Sequence, residues 1–517
     1  MIRNFLSLSA VLSIGISLSS AMAQDPSVNI TINEYTPDDV VGVTDGNSVE
    51  KIDITVNGTG RTDIIGGHLA AVNGGTVGES NYNADADSLY DSEFDAVSVT
   101  LNGGNIRQAL RSNASNVSSI IYGNVVYNIN SGSVGIGSGY SSDPMYVMGT
   151  GYYGQKGSST NEVYGNVTVN IGQSGGSASD VFIGYNAGNS ANGFVVGAGT
   201  GTVRGDVSIN MQSGSAGYLF GASYGSVVRG STYVTVGEGA RVSYYVLAGG
   251  SNINDNFSSD IAGSTNVLIQ GSVGTNIYGG HYSGGTRGSI GGNVNVTVDG
   301  GSVGGTIYGG VGSIAGNVNI VLNNANVGGN IYAGSENGRG GSVAGDVNVS
   351  ISGNSNVVGA IYSGSASGNK NLSIKSYVGT NSLRISDFDA VNVSDSVVAF
   401  ETPFHTTLLS VNEGSDISLA SGTTFDTIEL LFAETEVSTG REVSLDSFFS
   451  DDASTIVLSA ISGGNTEVSL FDSDGQQWNV IYEEGALTVG SAVPEPSSYA
   501  AIFGALALAF VAYRRRK

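Results

Sequence analysis

The chain has 517 residues, of which 80 are glycine and only 12% are charged. Hydrophobic residues still make up 40% of it, which excludes disorder of the charged, core-poor kind. The formal net charge of −25 argues against nucleic acid as a partner, because phosphate binding needs clustered Lys and Arg. The absence of cysteine excludes disulfides, thiolate metal sites and thiol nucleophiles.

The N-terminus has the three regions of a secretory signal peptide. A run of apolar and small residues follows the basic Arg3, and Ala21 and Ala23 frame an A-x-A cleavage site. A short buried helix is the alternative interpretation, but polar, β-rich sequence follows the run at once. We therefore expect the general secretion machinery to export the chain, residues 1–23 to be removed, and the mature protein to begin at Gln24.

One sequence pattern recurs along the middle of the chain. Each copy opens with glycine and a small polar residue and then alternates apolar with polar residues, as in Val294, Val296 and Val298. Alternation with period two indicates a half-buried strand, and one strand cannot enclose a core, so the copies must stack. The spacing varies from 24 to 40 residues among the clearest copies, as expected for solenoid coils with inserted loops. Copies begin at Gly123, Gly165, Gly205, Gly230, Gly263, Gly292, Gly316 and Gly345.

The pattern predicts an all-β fold, namely a Gly-rich, right-handed parallel β-helix or β-solenoid with glycine at its corners. We expect the solenoid over residues 24–381, with the clearest repeats at 123–364. After residue 382 the repeat fades and acidic sequence with short alternating runs follows. We interpret residues 382–491 as a β-rich cap or membrane-proximal domain, because a solenoid needs an atypical end to cover its last open edge.

The last residues, 492–517, contain three features in a fixed order. A Pro-Glu-Pro motif precedes an apolar run at 499–513, and a basic cluster ends the chain. This predicts a short transmembrane helix, below the ~20 residues that span a bilayer comfortably, with its basic end held in the cytoplasm. The motif is Pro494, Glu495 and Pro496, and the basic cluster is Arg514, Arg515, Arg516 and Lys517.

This tail closely resembles the PEP-CTERM sorting domain of Gram-negative bacteria, over about the last 25 residues. The resemblance implies that Pro494, Glu495 and Pro496 are recognised by an exosortase, a membrane cysteine transpeptidase-like enzyme. It also implies that the protein passes through an inner-membrane-anchored intermediate, loses the tail, and reaches the cell surface or extracellular matrix. A plain C-terminal anchor with a proline-containing spacer is the alternative.

The sequence predicts no catalytic residues, no metal site and no cofactor. His68, His281 and His405 are far apart, and no signature of a catalytic triad or phosphate-binding loop occurs in a fitting context. The acidic run at 83–93 alternates oxygen-bearing side chains that suit Ca²⁺, but it lacks the turn glycine and final glutamate of an EF-hand. A solvated acidic loop is the preferred interpretation.

Tyrosine recurs at one point of successive copies, each time after isoleucine and before a small residue. We expect these tyrosines to stack as a ladder and, if isoleucine points inward, to face outward. Such a strip is a candidate surface for polysaccharide or another protein, although a purely structural ladder is the preferred interpretation. The residues are Tyr278, Tyr308, Tyr332 and Tyr362.

Together these patterns favour an exported, surface-sorted, non-enzymatic protein with a structural or adhesive role in a biofilm or extracellular matrix. One alternative is a polysaccharide-degrading β-helix enzyme, a lyase or glycosidase, which needs paired carboxylates or Ca²⁺-binding aspartates on one strand face. The clean repeats place Asn, Thr and Ser on that face instead. A second alternative is an autotransporter passenger, which should end in a membrane β-barrel. Self-association of the solenoid stays open.

Overall fold

The chain folds into short β-strands that stack in parallel, as in a parallel β-solenoid. The predicted signal peptide with Ala21 and Ala23, the tail from Pro494 onward and nearly all of the acidic run lie outside the described residues. The computed structural model describes residues 27–44, 47–60, 63–79, 93–113, 118–135, 146–150, 161–177, 179–184, 193–223, 225–250, 259–282, 288–336 and 341–493.

Most strands belong to three sheets, named A, B and C here, which the chain visits in turn as it completes each coil. The strands of sheet A are Val28–Ile32, Ile52–Val56, Asp63–Ile65, Asp95–Ile106, Asn124–Val134, Val167–Ile171, Val181–Ile183, Val207–Ala216, Thr232–Val242, Thr265–Ile269, Ser272–Val273, Val294–Asp299, Ser302–Val303, Val318–Asn323, Asn326–Val327, Val347–Gly353, Asn356–Val357, Lys370–Tyr377, Ala390–Ser394, His405–Asn412, Thr424–Leu431, Glu442–Val443, Glu467–Phe471, Gln477–Glu483 and Ala486–Ala492.

Sheets B and C are parallel throughout. Sheet B consists of Val40–Thr44, Leu69–Asn73, Leu110–Asn113, Tyr146–Thr150, Phe194–Ala198, Tyr218–Ala222, Val246–Leu247, Ile277–Tyr278, Ile307–Tyr308, Ile331–Tyr332, Ile361–Tyr362 and Ile385–Ser386. Sheet C consists of Ser48–Val49, Gly75–Val77, Ser119–Ile121, Asn161–Val163, Gly201–Val203, Ser226–Val228, Asp260–Ile261, Ser289–Ile290, Gly312–Ile314 and Gly341–Val343. Val397–Ala399 and Asp416–Ser418 form a further parallel pair.

The core is an apolar column inside the coils. Val294, Val296 and Val298 are fully buried, whereas Asn295 and Thr297 between them face outward and are partly exposed. The neighbouring coils repeat this pattern in register, so Val296 and Val298 rest on apolar side chains of the coils before and after them, and Val294 lies between Thr265 and Val318. The alternation predicted from the sequence is therefore confirmed in the clean repeats.

The Gly-polar pair that opens each copy forms a corner of the coil. At Gly316 a Cβ atom would lie 2.6 Å from the carbonyl oxygen of Gly292 in the preceding coil, so the coils approach too closely for a side chain. Next to it, Asn293 Oδ1 accepts a hydrogen bond from the backbone N–H of Asn317 at 2.8 Å. The side chains that accept such a bond from the next coil are Asn124, Asn166, Asp206, Ser231, Ser264, Asn293, Asn317 and Asp346.

Asparagine side chains also link the coils on the outer face of sheet A. The side-chain amide of Asn295 donates to Asn266 at 2.8 Å, and that of Asn319 donates to Asn295 at 2.8 Å. Asn348 then donates to Asn319 at 3.0 Å, and Asn371 to Asn348 at 3.0 Å. Each amide both donates and accepts, which makes asparagine suited to a repeating column.

Parallel stacking continues past residue 382, where the sequence repeat fades. Sheet A runs on through parallel pairs that end at Glu467–Phe471. Its far edge pairs antiparallel with Gln477–Glu483, which in turn pairs antiparallel with Ala486–Ala492. The region expected to be a cap thus contains further coils before it closes in an antiparallel sheet.

A single helix, α1, spans Asp451–Ser462 in the described part of this region. Its buried residues Ala453, Val457 and Ile461 recur every four positions and join the main core. A 3₁₀ turn at Leu445–Ser447 precedes it. The helix therefore covers apolar side chains at the end of the solenoid where sheets B and C have already stopped.

Two corner glycines provide a test of the close packing. Gly300 and Gly312 both have positive φ, at 73° and 103°, but a Cβ at Gly312 would lie 2.4 Å from Cδ2 of His281, whereas nothing lies within 4 Å of one at Gly300. Gly300→Ala should cost only backbone strain, about 1–2 kcal/mol, and Gly312→Ala about 1–3 kcal/mol more through overpacking. Urea unfolding followed by circular dichroism measures both. Equal losses would contradict the close contact.

Candidate functional site on sheet B

The four tyrosines form a continuous ladder on the outer side of sheet B. Tyr278, Tyr308, Tyr332 and Tyr362 are in register on successive strands. Their ring centroids are 5.0, 5.5 and 4.9 Å apart in chain order, and each pair of planes meets at 7°. The rings stack face to face along the solenoid.

The stacked rings point away from the solenoid core but are largely covered. Tyr278 and Tyr308 are only 3% and 9% exposed, and Tyr332 and Tyr362 are half-buried. The inner rings turn their faces toward each other, so a sugar ring cannot stack on them. Tyr278 and Tyr308 belong to a second apolar cluster outside sheet B, and the role of the strip as a binding surface stays a prediction.

The second cluster extends the tyrosine column toward the N-terminus. Met148, Val196, Phe220 and Leu247 occupy the same register position on earlier strands of sheet B, and all four are buried. Leu247 pairs directly with Tyr278, which joins the two halves. Sheet B is therefore apolar on both faces here, as is usual for a buried parallel sheet.

A second aromatic stack, which the sequence analysis missed, covers part of this column. Phe194 and Tyr218 stack with centroids 4.2 Å apart, and Tyr218 and Tyr244 stack at 4.7 Å. The available signal was an aromatic residue two positions before each buried outward residue, as in Phe194-Val-Val196. Burial raises the pKa of the Tyr245 hydroxyl, and the neighbouring hydroxyls of Tyr282 and Tyr218 raise it further, so it stays protonated.

Asparagine holds the hydroxyl ends of two ladder tyrosines. The side-chain amide of Asn276 donates to the Tyr278 hydroxyl at 3.3 Å, and that of Asn330 donates to the Tyr332 hydroxyl at 3.1 Å. The oxygen of Asn276 also accepts from the backbone N–H of Thr306 in the next coil at 2.8 Å. These amides therefore have two effects: they fix the orientation of the rings, and they join adjacent coils.

His281 is a fully buried titratable group beside this cluster. Its Nδ1 accepts a hydrogen bond from the backbone N–H of Gly250 at 2.9 Å, and its Nε2 has no hydrogen-bond partner among the described residues. Burial lowers the pKa of His281 to about 4, although the contact with Gly250 and the charge of Asp260 act in the opposite direction. The imidazole is therefore neutral at pH 7.

The buried imidazole predicts a pH-dependent stability. Because the pKa is about 4 in the folded chain and about 6.5 when unfolded, the unfolded state takes up the proton first as pH falls. The contribution of His281 to the free energy of unfolding should be constant above pH 6.5, fall by up to about 3 kcal/mol between pH 6.5 and 4, and level off below. Urea titrations at a series of pH values measure this pH dependence, and His281→Asn should remove the part of it that lies between pH 6.5 and 4. If the variant loses stability over this range as steeply as the wild type, the assignment to His281 is wrong.

The other two histidines of the chain lie apart from this cluster. The backbone N–H of His68 donates to Asp39 Oδ1 at 2.7 Å, and His405 is exposed beside Thr424. Over the described ranges, no group of three or more His, Asp or Glu side chains is placed to hold a metal ion. The sorting motif, the basic end and the signal cleavage site fall outside those ranges, so their roles stay predictions.

The chain has no match among protein-family models, curated proteins or solved structures. The described residues also contain no helix with the length and apolar character needed to cross a membrane. The apolar run at 499–513 lies outside the residues searched. The resemblance of the tail to the PEP-CTERM domain is thus a prediction from the quoted residues alone.

Proposed function

We propose that the chain is an exported, surface-sorted, non-enzymatic protein whose solenoid serves as a rigid structural or adhesive rod. The main support for the proposal is an uninterrupted series of parallel strands in sheet A. Within the described residues, sixteen strands from Val28–Ile32 to Glu467–Phe471 pair in succession. At about 4.8 Å per step, this column is about 70 Å long.

Side-chain contacts support a stiff rather than a flexible column. Besides the backbone ladder, successive coils are joined by the corner side chains, the asparagine column on sheet A and the tyrosine ladder on sheet B. Because these sets lie on different faces of the coil, bending the column in any direction must stretch the contacts on its convex side. We take the coils to be right-handed, since crossovers between parallel strands of one sheet are nearly always so.

The two terminal segments support delivery to the cell surface. In this proposal the signal peptide is cleaved after Ala23 and a short helix at 499–513 holds the export intermediate in the inner membrane. An exosortase then recognises Pro494, Glu495 and Pro496 and removes the tail, leaving the protein on the surface or in the matrix of a Gram-negative cell.

The proposal favours a structural role over the alternative of a polysaccharide lyase or glycosidase. The outer face of sheet A, where a β-helix enzyme would gather carboxylates, carries the amide column of Asn295, Asn319 and Asn348. These amides already use their donors and acceptors on one another. Such a surface suits cohesion between coils better than proton transfer to a substrate.

Intact mass of the protein recovered from cells and medium tests the sorting proposal. The wild-type mass should show loss of residues 1–23 and of the C-terminal tail. Changing Pro494, Glu495 and Pro496 to alanine should leave the tail in place and keep the protein in the membrane fraction, while the N-terminal cleavage is unchanged. If the tail is uncut in both proteins, the sorting proposal is wrong and the C-terminal segment is an ordinary membrane anchor.

The adhesive version of the proposal places the ligand at the end of the tyrosine ladder. Tyr362 pairs in the next coil with Ser386 rather than with another ring, so one of its faces lacks an aromatic neighbour. Tyr362→Ala should therefore weaken retention on the cell's own purified matrix polysaccharide about tenfold, equivalent to about 1.4 kcal/mol. Tyr35→Ala is the matched control, because Tyr35 is exposed and far from the ladder in sequence. If Tyr362→Ala is retained as strongly as the wild type, the ladder does not bind this polysaccharide at Tyr362 and its role is purely structural.

A further inference from the structure

The two ends of the solenoid differ in how their edges are covered. At the C-terminal end, the far edge of the last parallel strand, Glu467–Phe471, is occupied by an antiparallel strand. At the other end, Val28–Ile32 pairs with Ile52–Val56, and no other strand of the described chain lies on its opposite edge. Among the described strands, sheet A is thus closed at its last edge and open at its first.

The open edge presents both apolar side chains and backbone groups. Val28 and Ile30 are partly exposed, whereas Ile52 and Ile54, their partners in the next coil, are 0% and 1% exposed. A parallel strand directs the backbone groups of successive residues to alternate sides. Because the backbone N–H of Val28 bonds to the next coil, the N–H and C=O groups of Asn29 and Thr31 point to the open edge.

We propose that this edge pairs with the same edge of a second copy of the chain. The strand Val28–Ile32 is self-complementary about a two-fold axis at Ile30. In an antiparallel pair, Asn29 lies opposite Thr31 of the other copy, and each such pair exchanges two backbone hydrogen bonds. Ile30 meets Ile30, and Val28 meets Ile32, so apolar side chains extend the core column across the axis.

Little chain is left to cover the edge in any other way. The inference rests on the proposed cleavage after Ala23, which leaves only Gln24, Asp25 and Pro26 ahead of the described residues. Three residues cannot pair with a strand of five. Since the opposite end is already closed, the contact is head-to-head and isologous, which gives a dimer rather than a filament.

Sedimentation velocity of the protein recovered from cells, with Gln24 confirmed as its first residue by mass, tests the inference. The wild type should move from monomer to dimer with concentration. Ile30→Lys places two lysines at the axis and should raise the Kd at least tenfold. Val321→Lys is the matched control, because Val321 is exposed on the outer face of a mid-solenoid strand, and should leave the Kd unchanged.

A second pair of variants tests the backbone hydrogen bonds of the proposed contact separately from its side chains. The N–H of Asn29 faces the open edge, so Asn29→Pro should keep the coils intact, as proline is tolerated on edge strands, yet raise the Kd at least tenfold. Asn29→Ala keeps the N–H and should leave the Kd unchanged. Circular dichroism confirms that each variant is folded.

A cleaved wild-type protein that stays monomeric at every concentration would overturn the inference, as would a dimer whose Kd neither Ile30→Lys nor Asn29→Pro changes. Retention of residues 1–23 would instead count against the proposed export. In that case the same sedimentation measurement on a chain that begins at Gln24 decides the dimer question by itself.

Discussion

In-register stacking of successive coils, about 4.8 Å apart, is the constraint on which the rest of the structure depends. In the paired strands most residues lie directly on their counterparts in the next coil, so each position must suit contact with the side chains above and below it. Inward positions are therefore valine and isoleucine, as in the column through Val296, and corners combine glycine with a polar side chain that caps the next coil. Outward positions are occupied by side chains that bond to their own kind, such as Asn319 and the stacked Tyr308.

The same constraint explains why the stacked positions carry so few charges. Two like charges at this spacing repel by about 1 kcal/mol even in water, and a column of them would accumulate that cost at every coil. In two of the columns that contain a carboxylate, the next coil places a side-chain amide on it. Asn323 donates to Asp299 at 2.7 Å, and Asn412 donates to Asp395 at 2.7 Å. The net charge of −25 is tolerated because acids do not stack on acids at these positions.

What the sequence could predict follows from how regular the spacing is. The strand alternation and the shared register of Tyr278 and Tyr308 were predictable because those copies have short, similar connections. The burial of these rings was not, because it depends on Phe220 and Leu247, which belong to less regular coils whose register cannot be counted from the sequence. The coils after residue 382 were missed for a related reason: they lose the Gly-polar corner while parallel pairing continues. Nothing in the sequence marked the burial of His281.

The ends are where this constraint is not met by a neighbouring coil, and the chain treats them differently. At the C-terminal end the direction of pairing reverses at Gln477–Glu483, which prevents further stacking, and the described chain ends nearby at Val493, next to the predicted sorting motif. In the proposed export intermediate, the apolar run at 499–513 would hold the C-terminal end of the column at the membrane, and the open edge at Val28–Ile32 would lie about 70 Å away. Such an edge can meet an identical edge on an opposing molecule. The proposed self-pairing and the proposed surface delivery are therefore compatible, because the edge that the fold leaves unpaired is the one far from the segment proposed to anchor the intermediate.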